Sequence, residues 1–400
     1  MDRYTVISAD CHAGAPLRDY KEFLESRYHE DFEGWAAGFV NPFADLERPD
    51  ADRSWNSERR RNELEEDGIV GEVIYPNTVP PFFPKGGLTA LCPGPDEFEH
   101  RLAGLRAHNR WLAAFCAELP DRRAGIGQIL LNDVEEAVRD VRWIADNGLR
   151  GGILLPGMPP DAPVPPLHAP VYDPVWRACE ERGVVINAHG GSASPDYGDW
   201  PASQLLWLME TTWFSHRPLW SIILSGVFDR FPGLRLVLAE QGSGWVRAAL
   251  DAMDQHYRSM SGGGIGELRT VGRHGLERMP SEYWHSNCYV AASFMHPADC
   301  ARRDLIGSDR IMWGSDYPHL EGTYPFSREG MSLTFAGLAP DEAQALLGGT
   351  AALVYGFDLD ALAPVAARCG PGVDQVAAGL KAVPEGATSL AFRERPPLNV

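Results

Sequence analysis

The sequence predicts an α/β domain of the (β/α)8 TIM-barrel type, with a long insertion after the first strand and a C-terminal extension. Eight short apolar runs have the length and composition of buried strands, and helical segments separate most of them. Alternation of strands and helices over most of a 400-residue chain favours a parallel barrel over an open sheet. We place the barrel in residues 1–357 and the extension in residues 358–400. The strands are centred on Val6, Val73, Ile126, Ile153, Val185, Val237, Tyr289 and Ile311.

The first strand is followed by the longest irregular stretch of the chain. Thr5–Ala9 is short and β-branched, and it leads directly into Asp10-Cys11-His12. Residues 13–61 are then rich in proline, aromatic and charged residues and show no strand period. An insertion at this place lies at the mouth of a barrel, where long loops often act as lids. We expect residues 13–61 either to form such a lid or to pack over a helix at the surface.

The helical segments are recognised by their apolar spacing and by their ends. Asp96–Glu118 is the clearest, because its apolar residues recur at helical intervals. Gly148 is suited to end a helix that begins at Asp133. The tail from Leu359 is rich in Ala, Pro and Gly, and we expect it to be peripheral, as an arm in an oligomer. Further helices are expected at Ser57–Asp67, Val171–Arg182, Pro201–Phe231, Trp245–Tyr257, Pro297–Ile306, Pro340–Leu347 and Ala351–Tyr355.

The composition argues against two classes of partner. Apolar residues make up 44% of the chain and charged residues 23%, which is ordinary for a globular protein. Lys and Arg number 36 against 55 Asp and Glu, and a formal charge of −19 argues against a nucleic-acid partner. No apolar run approaches the length of a membrane span. The seven cysteines form no CxxC pair and no signal peptide is recognisable, so we expect a cytoplasmic protein with reduced thiols.

Four predicted strands end in residue types that bind metal ions. Asp10 and His12 follow the first strand, and residues two apart on a strand share a face. His189 ends the fifth strand on a glycine turn, Glu240 ends the sixth, and Asp316 follows the eighth. The carboxyl ends of barrel strands meet at one mouth, where a buried carboxylate is costly unless it is paired or bound to a cation. Carboxylate and imidazole together suit one divalent metal, with Zn first and Mn or Fe possible.

Other polar residues are candidates for contact with a small-molecule substrate. The proline-rich loop after the second strand presents Asn77 toward the mouth. The other candidates are His216, Arg217, His296 and His319, and a purely structural role is the alternative for each.

Two further catalytic motifs are weak in this sequence. Gly242-Ser243-Gly244 follows a strand but lacks the third glycine of a dinucleotide-binding loop. Gln241 stands where a serine nucleophile elbow would need its first glycine. Neither a dinucleotide site nor a serine triad is therefore expected.

Several segments together resemble the amidohydrolase-related (amidohydrolase 2) family of the amidohydrolase superfamily. Its members include aminocarboxymuconate-semialdehyde decarboxylase and γ-resorcylate decarboxylase. The resemblance covers roughly residues 4–357 and implies a barrel with one catalytic divalent metal. The segments that carry it are Asp10-Cys11-His12, Asn187-Ala188-His189, Gly226–Pro232, Gly314–His319 and Gly348–Gly356.

The resemblance also implies roles for individual residues. His12, His189 and Asp316 take the positions of metal ligands, and Asp10 takes the acidic or histidine position of the first strand. The chain departs from the family at strand six, where decarboxylases usually carry a histidine and this sequence carries Glu240. A carboxylate there would repel an acidic substrate unless it were protonated or bound to the metal.

Site and resemblance together predict a metal-dependent hydrolase that acts on a small amide, lactone or related bond through a metal-activated water. Asp316 would act as general base and then as acid, and Glu240 would bind the metal, shuttle a proton or orient water. The alternative is a metal-dependent non-oxidative decarboxylase of an aromatic or unsaturated carboxylic acid. A further alternative is an inactive barrel with a binding role. We also expect a homodimer.

Overall fold

The barrel predicted from the sequence is present in the computed structural model, which describes residues 2–41, 44–84, 91–263, 266–267 and 275–393. Eight parallel strands form one sheet in which each strand pairs with the next along the chain. The barrel closes because His12 N donates to Tyr317 O at 2.7 Å and Asp316 N donates to Asp10 O at 2.8 Å. The strands are β1 (Val6–Ala13), β2 (Ile69–Pro76), β3 (Arg123–Gln128), β4 (Gly152–Leu154), β5 (Ile186–His189), β6 (Leu236–Ala239), β7 (Cys288–Ser293) and β8 (Ile311–Gly314).

Helices surround the sheet, and local sequence explains several of their ends. Asp133 begins one helix by accepting hydrogen bonds from two backbone amides, and Gly183 ends the next in the left-handed region at φ 64°. In the described part of the chain, no helix combines the length and hydropathy needed to cross a membrane. The described α-helices are α1 (His29–Gly38), α2 (Ser57–Glu66), α3 (Phe98–Ala117), α4 (Val134–Asp146), α5 (Asp173–Arg182), α6 (Ser203–Leu224), α7 (Val227–Arg230), α8 (Val246–Ser261), α9 (Pro280–Asn287), α10 (Pro297–Cys300), α11 (Ser327–Thr334), α12 (Pro340–Gln344), α13 (Thr350–Tyr355), α14 (Leu359–Cys369) and α15 (Val373–Ala377).

An irregularity in β1 decides which of its side chains face the barrel interior. The pairing register of β1 with β2 shifts between Ser8 and Cys11. Ala9 packs in the interior cluster, whereas Cys11 packs in the outer cluster between strands and helices. A bulge of this kind reverses the alternation of side chains along a strand. Asp10 and His12 consequently point inward at the carboxyl end of the strand.

The insertion of residues 13–61 folds into short helical segments that pack on the side of the barrel. Its apolar residues Tyr28 and Phe32 form a buried cluster with Phe82 and with Ala107 of α3. The described part of the insertion therefore packs over a helix, which is the second of the two expected arrangements. A lid function for this segment stays a prediction.

Arg60, a residue of the insertion, contacts the backbone of β1. Arg60 is fully buried, and its Nη1 donates to His12 O at 2.6 Å. Its guanidinium also pairs with buried Glu72 at 2.7 Å, and Glu72 contacts Arg123 at 3.2 Å. Removal of one partner from such a buried ion pair typically costs about 3–5 kcal/mol. The insertion is thus fixed to the barrel by a charge network as well as by apolar packing.

The C-terminal extension closes the bottom of the barrel. Leu362 and Ala366 of α14 are buried in the same apolar cluster as Ile7 and Val70 of the barrel interior. The prediction that the tail from Leu359 is peripheral is wrong for α14, because this helix buries an apolar face against the strands. Residues 394–400 of the predicted extension lie outside the described residues.

Candidate metal centre and active site

Four of the predicted side chains meet at the carboxyl end of the barrel. We call Asp10, His12, His189 and Asp316 the ligand cluster. The Nε2 atom of His12 lies 3.3 Å from Asp10 Oδ1 and 3.3 Å from Asp316 Oδ1. The Nε2 atom of His189 lies 3.5 Å from the same Asp10 oxygen. All four residues are buried, so the carboxylates and imidazoles face one another rather than solvent.

The hydrogen bonds on the far side of each imidazole fix its tautomer. His12 Nδ1 lies 2.8 Å from Pro76 O, and His189 Nδ1 lies 3.0 Å from Gly190 O and 3.3 Å from Glu240 Oε2. These partners are all acceptors, so Nδ1 of each ring carries the proton. In the neutral imidazole the Nε2 lone pair then points into the ligand cluster. Metal-binding histidines are usually oriented in this way by a carbonyl or a carboxylate.

The atoms that point into the cluster lack hydrogen-bond partners. These buried atoms are Asp10 Oδ1, His12 Nε2, His189 Nε2 and Asp316 Oδ2. A buried polar atom without a partner costs about 1–3 kcal/mol, so four at one place call for a ligand that satisfies them together. Two imidazole nitrogens and two carboxylate oxygens are a fitting donor set for a divalent metal ion. The ligand cluster predicted from the sequence is therefore compatible with one divalent cation.

The pKa values of the ligand cluster reflect this crowding of charges. Burial lowers the pKa of His12, but Asp10 and Asp316 outweigh it and raise that pKa to about 9. Burial also lowers the pKa of His189, and Asp10 and Glu240 raise it to about 9. Burial favours a higher pKa for Asp10, yet the two histidines hold it well below its usual range. In the metal-free ligand cluster, protons on His12 and His189 therefore balance the negative charge of the carboxylates. A metal ion must displace these protons in order to bind.

Asp316 is held by a chain of hydrogen bonds that leads away from the cluster. His319 Nδ1 lies 2.9 Å from Asp316 Oδ1, and His319 Nε2 lies 2.9 Å from Asn77 Oδ1. Asn77 is buried and donates to Ser54 Oγ at 2.8 Å. His319 and Asn77 were both predicted as substrate contacts. In the structure His319 contacts Asp316, and Asn77 contacts His319 on the side away from Asp316. Asp316 itself has φ 58°, a left-handed conformation that costs a non-glycine residue about 1–3 kcal/mol and is common at functional sites.

Glu240 lies on the opposite side of His189 from Asp10. Its carboxylate faces Nδ1 of His189, while the Nε2 atom faces the ligand cluster. Burial is the main reason that its pKa is raised to about 7, with nearby carboxylates adding to the effect. Glu240 also has a left-handed backbone conformation, with φ 54°. Position 190 must be a glycine for Glu240 to fit there, since a Cβ on Gly190 would lie 2.5 Å from Glu240 O. Carboxylate oxygens of Glu240, Asp316 and Glu321 lie within 4.8 Å of one another, and the sequence analysis did not identify Glu321, which is exposed.

Two further residues that contact the cluster were missed from the sequence. Ser293 Oγ donates to Asp10 Oδ2, and the ring of Tyr75 packs on His189 with centroids 4.7 Å apart. Both residues lie at the carboxyl ends of predicted strands. This position is the feature of the sequence from which a contact with the ligand cluster could have been predicted. Gly314 makes room for the arrangement, since a Cβ there would lie 2.8 Å from Asp10 Cβ and 3.0 Å from Ser293 Oγ.

The remaining predicted substrate contacts lie on or beside helices. The ring of His216 on α6 stacks on Trp245 at 3.5 Å, and burial lowers its pKa to about 4. Arg217 lines a cavity of about 210 Å³ between α6 and the loop after β4. His296 begins α10, where its Nδ1 accepts from Ala298 N at 3.1 Å. A role for these three residues toward substrate stays a prediction.

Comparison with known proteins places this barrel in a family. The sequence profile of the amidohydrolase family matches residues 9–357. The chain belongs to the amidohydrolase family. A curated relative, γ-resorcylate decarboxylase from Rhodococcus jostii, is 27% identical over 238 residues, which are 56% of this chain and 68% of the relative. A second γ-resorcylate decarboxylase, from a Rhizobium species, is 25% identical over 53% of this chain and 65% of the relative.

Solved structures of decarboxylases share the fold of this chain. The 5-carboxyvanillate decarboxylase of Sphingomonas paucimobilis superposes with a TM-score of 0.66 at 20% identity, over 89% of this chain and 100% of the other. The enzyme of the same name from Novosphingobium aromaticivorans was solved with manganese and 4-hydroxy-3-methoxy-5-nitrobenzoic acid. It gives a TM-score of 0.65 at 19% identity, over 88% of this chain and 96% of the other. At this level of identity the likeness establishes the fold.

Proposed function

We propose that this protein is a metal-dependent, non-oxidative decarboxylase of an aromatic carboxylic acid. The observation that carries the proposal is the ligand cluster, in which Asp316 faces the unpartnered nitrogen of His12 on one side and His319 on the other. The curated relatives favour decarboxylation over hydrolysis, which the sequence analysis put first. The names of these relatives point to hydroxylated benzoates as the substrate class.

Asp10, His12, His189 and Asp316 would hold a divalent metal, which would supply positive charge that stabilises negative charge on an acidic substrate. Asp316 delivers a proton to the ring carbon that bears the carboxylate. The bond from this carbon to the carboxylate then breaks, its electron pair restores the aromatic ring, and carbon dioxide leaves. The net change is the replacement of a carboxylate by a hydrogen, with one proton consumed.

The chain of hydrogen bonds behind Asp316 provides for the return of the proton. His319 contacts the carboxylate through Nδ1 and is held by Asn77 through Nε2. Burial acts to lower the pKa of His319, but the Asp316 carboxylate outweighs it and raises that pKa, so the His319 ring holds a proton beside the carboxylate that must be reprotonated after each turnover. Glu240 keeps the His189 ring in place through its Nδ1 contact.

We propose manganese as the first metal to test, with zinc and iron after it. The ligand cluster contains two carboxylates, and those of Glu240 and Glu321 lie close to Asp316. This donor set is richer in oxygen than that of a structural zinc site. Manganese in a solved decarboxylase of the same fold supports this order. The sequence analysis expected zinc first, and metal content after purification without added metal decides between the two.

The proposed reaction is tested by carbon dioxide release from a panel of mono- and dihydroxybenzoates, with Mn²⁺-loaded protein in deuterated water. We expect the product to carry one deuterium at the carbon that lost carbon dioxide, as seen by proton NMR. His319→Gln should lower kcat by roughly 100-fold or more while about one metal ion per chain remains bound. His285→Gln, on the exposed face of α9, is the matched control and should retain activity.

Two results would contradict the proposal, one for the reaction and one for the role of His319. One is hydrolysis of an amide or lactone panel by a preparation that releases no carbon dioxide from any aromatic acid. The other, decarboxylation that is equally fast in His319→Gln and in the wild type, would leave decarboxylation as the reaction and overturn the role of His319 in returning the proton to Asp316.

A further inference from the structure

Gln128, the last residue of β3, has a buried side-chain amide. The residue is 1% exposed. Among the described residues, none forms a hydrogen bond with Oε1 or Nε2 of this amide. A buried amide without partners is costly, because both atoms give up their hydrogen bonds to water. Such a group in a folded protein calls for a ligand that satisfies it.

The alternation of side chains along β3 directs this amide into the barrel interior. Ala124 and Ile126 pack in the interior cluster. A Cβ on Gly125 would instead contact side chains of α3, and a Cβ on Gly127 would contact a side chain of α4, so these two positions face outward. Residues two apart on a strand share a face. Gln128 therefore points inward, at the carboxyl end of its strand.

Gln128 also lies at the level of the ligand cluster along the barrel axis. It is in register with Leu154, which is in register with Asn187, so one lateral row crosses β3, β4 and β5. The strands of an eight-stranded barrel are tilted, and with a shear of 8 the level rises by about one residue from each strand to the next. Two strands further on, the level of Gln128 is therefore that of His189, two residues beyond Asn187.

The interior residues of the same row do not provide the missing partner. The side chain of Leu154 is apolar. Asn187 Oδ1 accepts from the hydroxyl of Tyr75 at 3.3 Å and from that of Tyr355 at 2.8 Å. Asn187 Nδ2 donates to two backbone carbonyls at 2.9 and 3.0 Å. Within this row, the amide of Gln128 is thus left for a group that enters from the mouth.

The backbone of Gln128 is held in place independently of its side chain. Asn109 of α3 accepts from Gln128 N at 2.8 Å and donates to Gln128 O at 2.8 Å. Both residues are 1% exposed, so this pair of hydrogen bonds is shielded from water. The side-chain amide is therefore presented from a fixed position, as a binding group should be.

The chemistry of the amide selects among the groups of a hydroxylated benzoate. Nε2 donates hydrogen bonds and Oε1 accepts them. A carboxylate only accepts, so it would leave Oε1 without a partner. A hydroxyl group accepts one hydrogen bond and donates another, and it can therefore satisfy both atoms of the amide.

On the basis of the proposed function, which supplies a hydroxylated aromatic ring, we propose that Gln128 binds a ring hydroxyl of the substrate. The hydroxyl accepts from Nε2 and donates to Oε1. Gln128 and His189 lie two strands apart, about 10 Å along the sheet, and both side chains extend into the interior. A benzoate that contacts the ligand cluster can thus also reach the amide. An acid without this hydroxyl would bury the amide unpartnered and bind less tightly.

The test compares the binding of nitrophenol with that of the dihydroxynitrobenzenes that carry a second hydroxyl at each ring position. The nitro group replaces the carboxylate and cannot leave as carbon dioxide, so calorimetry of the Mn²⁺-loaded full chain gives Kd without turnover. We expect the wild type to bind at least one dihydroxy compound 10-fold or more tightly than nitrophenol. Gln128→Met, similar in size but without the amide, should reduce this advantage to less than twofold.

Two control variants and the unfolding temperature separate a binding role from a structural one. Gln375→Met, at an exposed position of α15, should keep the 10-fold advantage. Gln241→Met should also keep it, although the Gln241 amide is buried without partners among the described residues and makes Gln241 the competing candidate. Gln128→Met should unfold at a temperature equal to or above that of the wild type, because an apolar side chain replaces an unpartnered amide.

Carbon dioxide release distinguishes failure of this inference from failure of the proposed function. The hydroxyl site would be overturned if the wild type binds no dihydroxy compound more tightly than nitrophenol, even where carbon dioxide is released. An advantage that survives in Gln128→Met, an advantage lost in Gln241→Met, or a lower unfolding temperature of Gln128→Met would also overturn it. An advantage lost only in Gln128→Met, in a protein that releases no carbon dioxide, would support the hydroxyl site and overturn decarboxylation.

Discussion

Glu240→Gln tests whether this carboxylate binds the metal or orients a ligand. In the structure Glu240 Oε2 lies 3.3 Å from His189 Nδ1, and a carboxylate oxygen of Glu240 lies within 4.8 Å of one of Asp316 at the edge of the ligand cluster. Gly190 O accepts from the same nitrogen at 3.0 Å and remains in the variant. The tautomer of His189 is therefore kept, and only the charge behind it is lost.

The structure gives the size of the expected effect. Loss of an outer partner of a metal-bound histidine typically weakens metal binding about 10- to 100-fold. Because Gly190 O stays in place, we expect the low end of this range, about 10-fold or ~1.4 kcal/mol. The affinity for Mn²⁺ is measured by competition with a chelator. The control is Glu321→Gln, which removes an exposed carboxylate at the same rim and should change the affinity less than threefold.

Two results would refute this reasoning about Glu240. A variant that purifies without metal and cannot be reloaded would mean that Glu240 is itself a ligand. An affinity equal to that of the wild type would mean that Glu240 does not act through His189.

Three further predictions concern stability and the shape of the site. In metal-free protein both histidines of the ligand cluster bind protons more tightly when folded, with pKa values raised to about 9 from 6.5. Their contribution to the free energy of unfolding should be complete below pH 6.5 and lost as pH rises through 9. Bound Mn²⁺ should remove this loss of stability between pH 6.5 and 9. Urea titrations at each pH, with and without Mn²⁺, measure both effects. Arg60→Met should destabilise the protein by about 3–5 kcal/mol in urea, whereas Arg61→Met, at a partly exposed position, should cost under about 0.5 kcal/mol. Gly314→Ala should cost about 1–3 kcal/mol and weaken metal binding, because its Cβ would press on Asp10; Gly34→Ala, with open space around it, should not destabilise.

The strand ends made most of the site predictable from sequence. An apolar run that stops at a carboxylate or a histidine gives both the strand and the position of the side chain at the barrel mouth. This pattern identified Asp10, His12, His189 and Asp316 before any coordinates were considered. All eight strands were found for the same reason, since each is short, apolar and bounded by turn residues.

The roles that depend on contacts between distant segments could not be predicted. Nothing local indicates that Asn77 reaches His319, or that Arg60 reaches His12 O. The bulge in β1 follows from pairing with β2 and has no sequence signature of its own. The burial of α14 was missed because alanines among its apolar residues obscure its periodicity.

The central claim is that the ligand cluster holds one catalytic divalent metal. The most direct test is elemental analysis of wild type and of His189→Ala after purification without added metal, and again after reconstitution with Mn²⁺. About one divalent ion per wild-type chain, lost in the variant together with carbon dioxide release, is the result we predict. A wild type that binds no metal after reconstitution, or a variant that keeps its full metal content, would contradict the account.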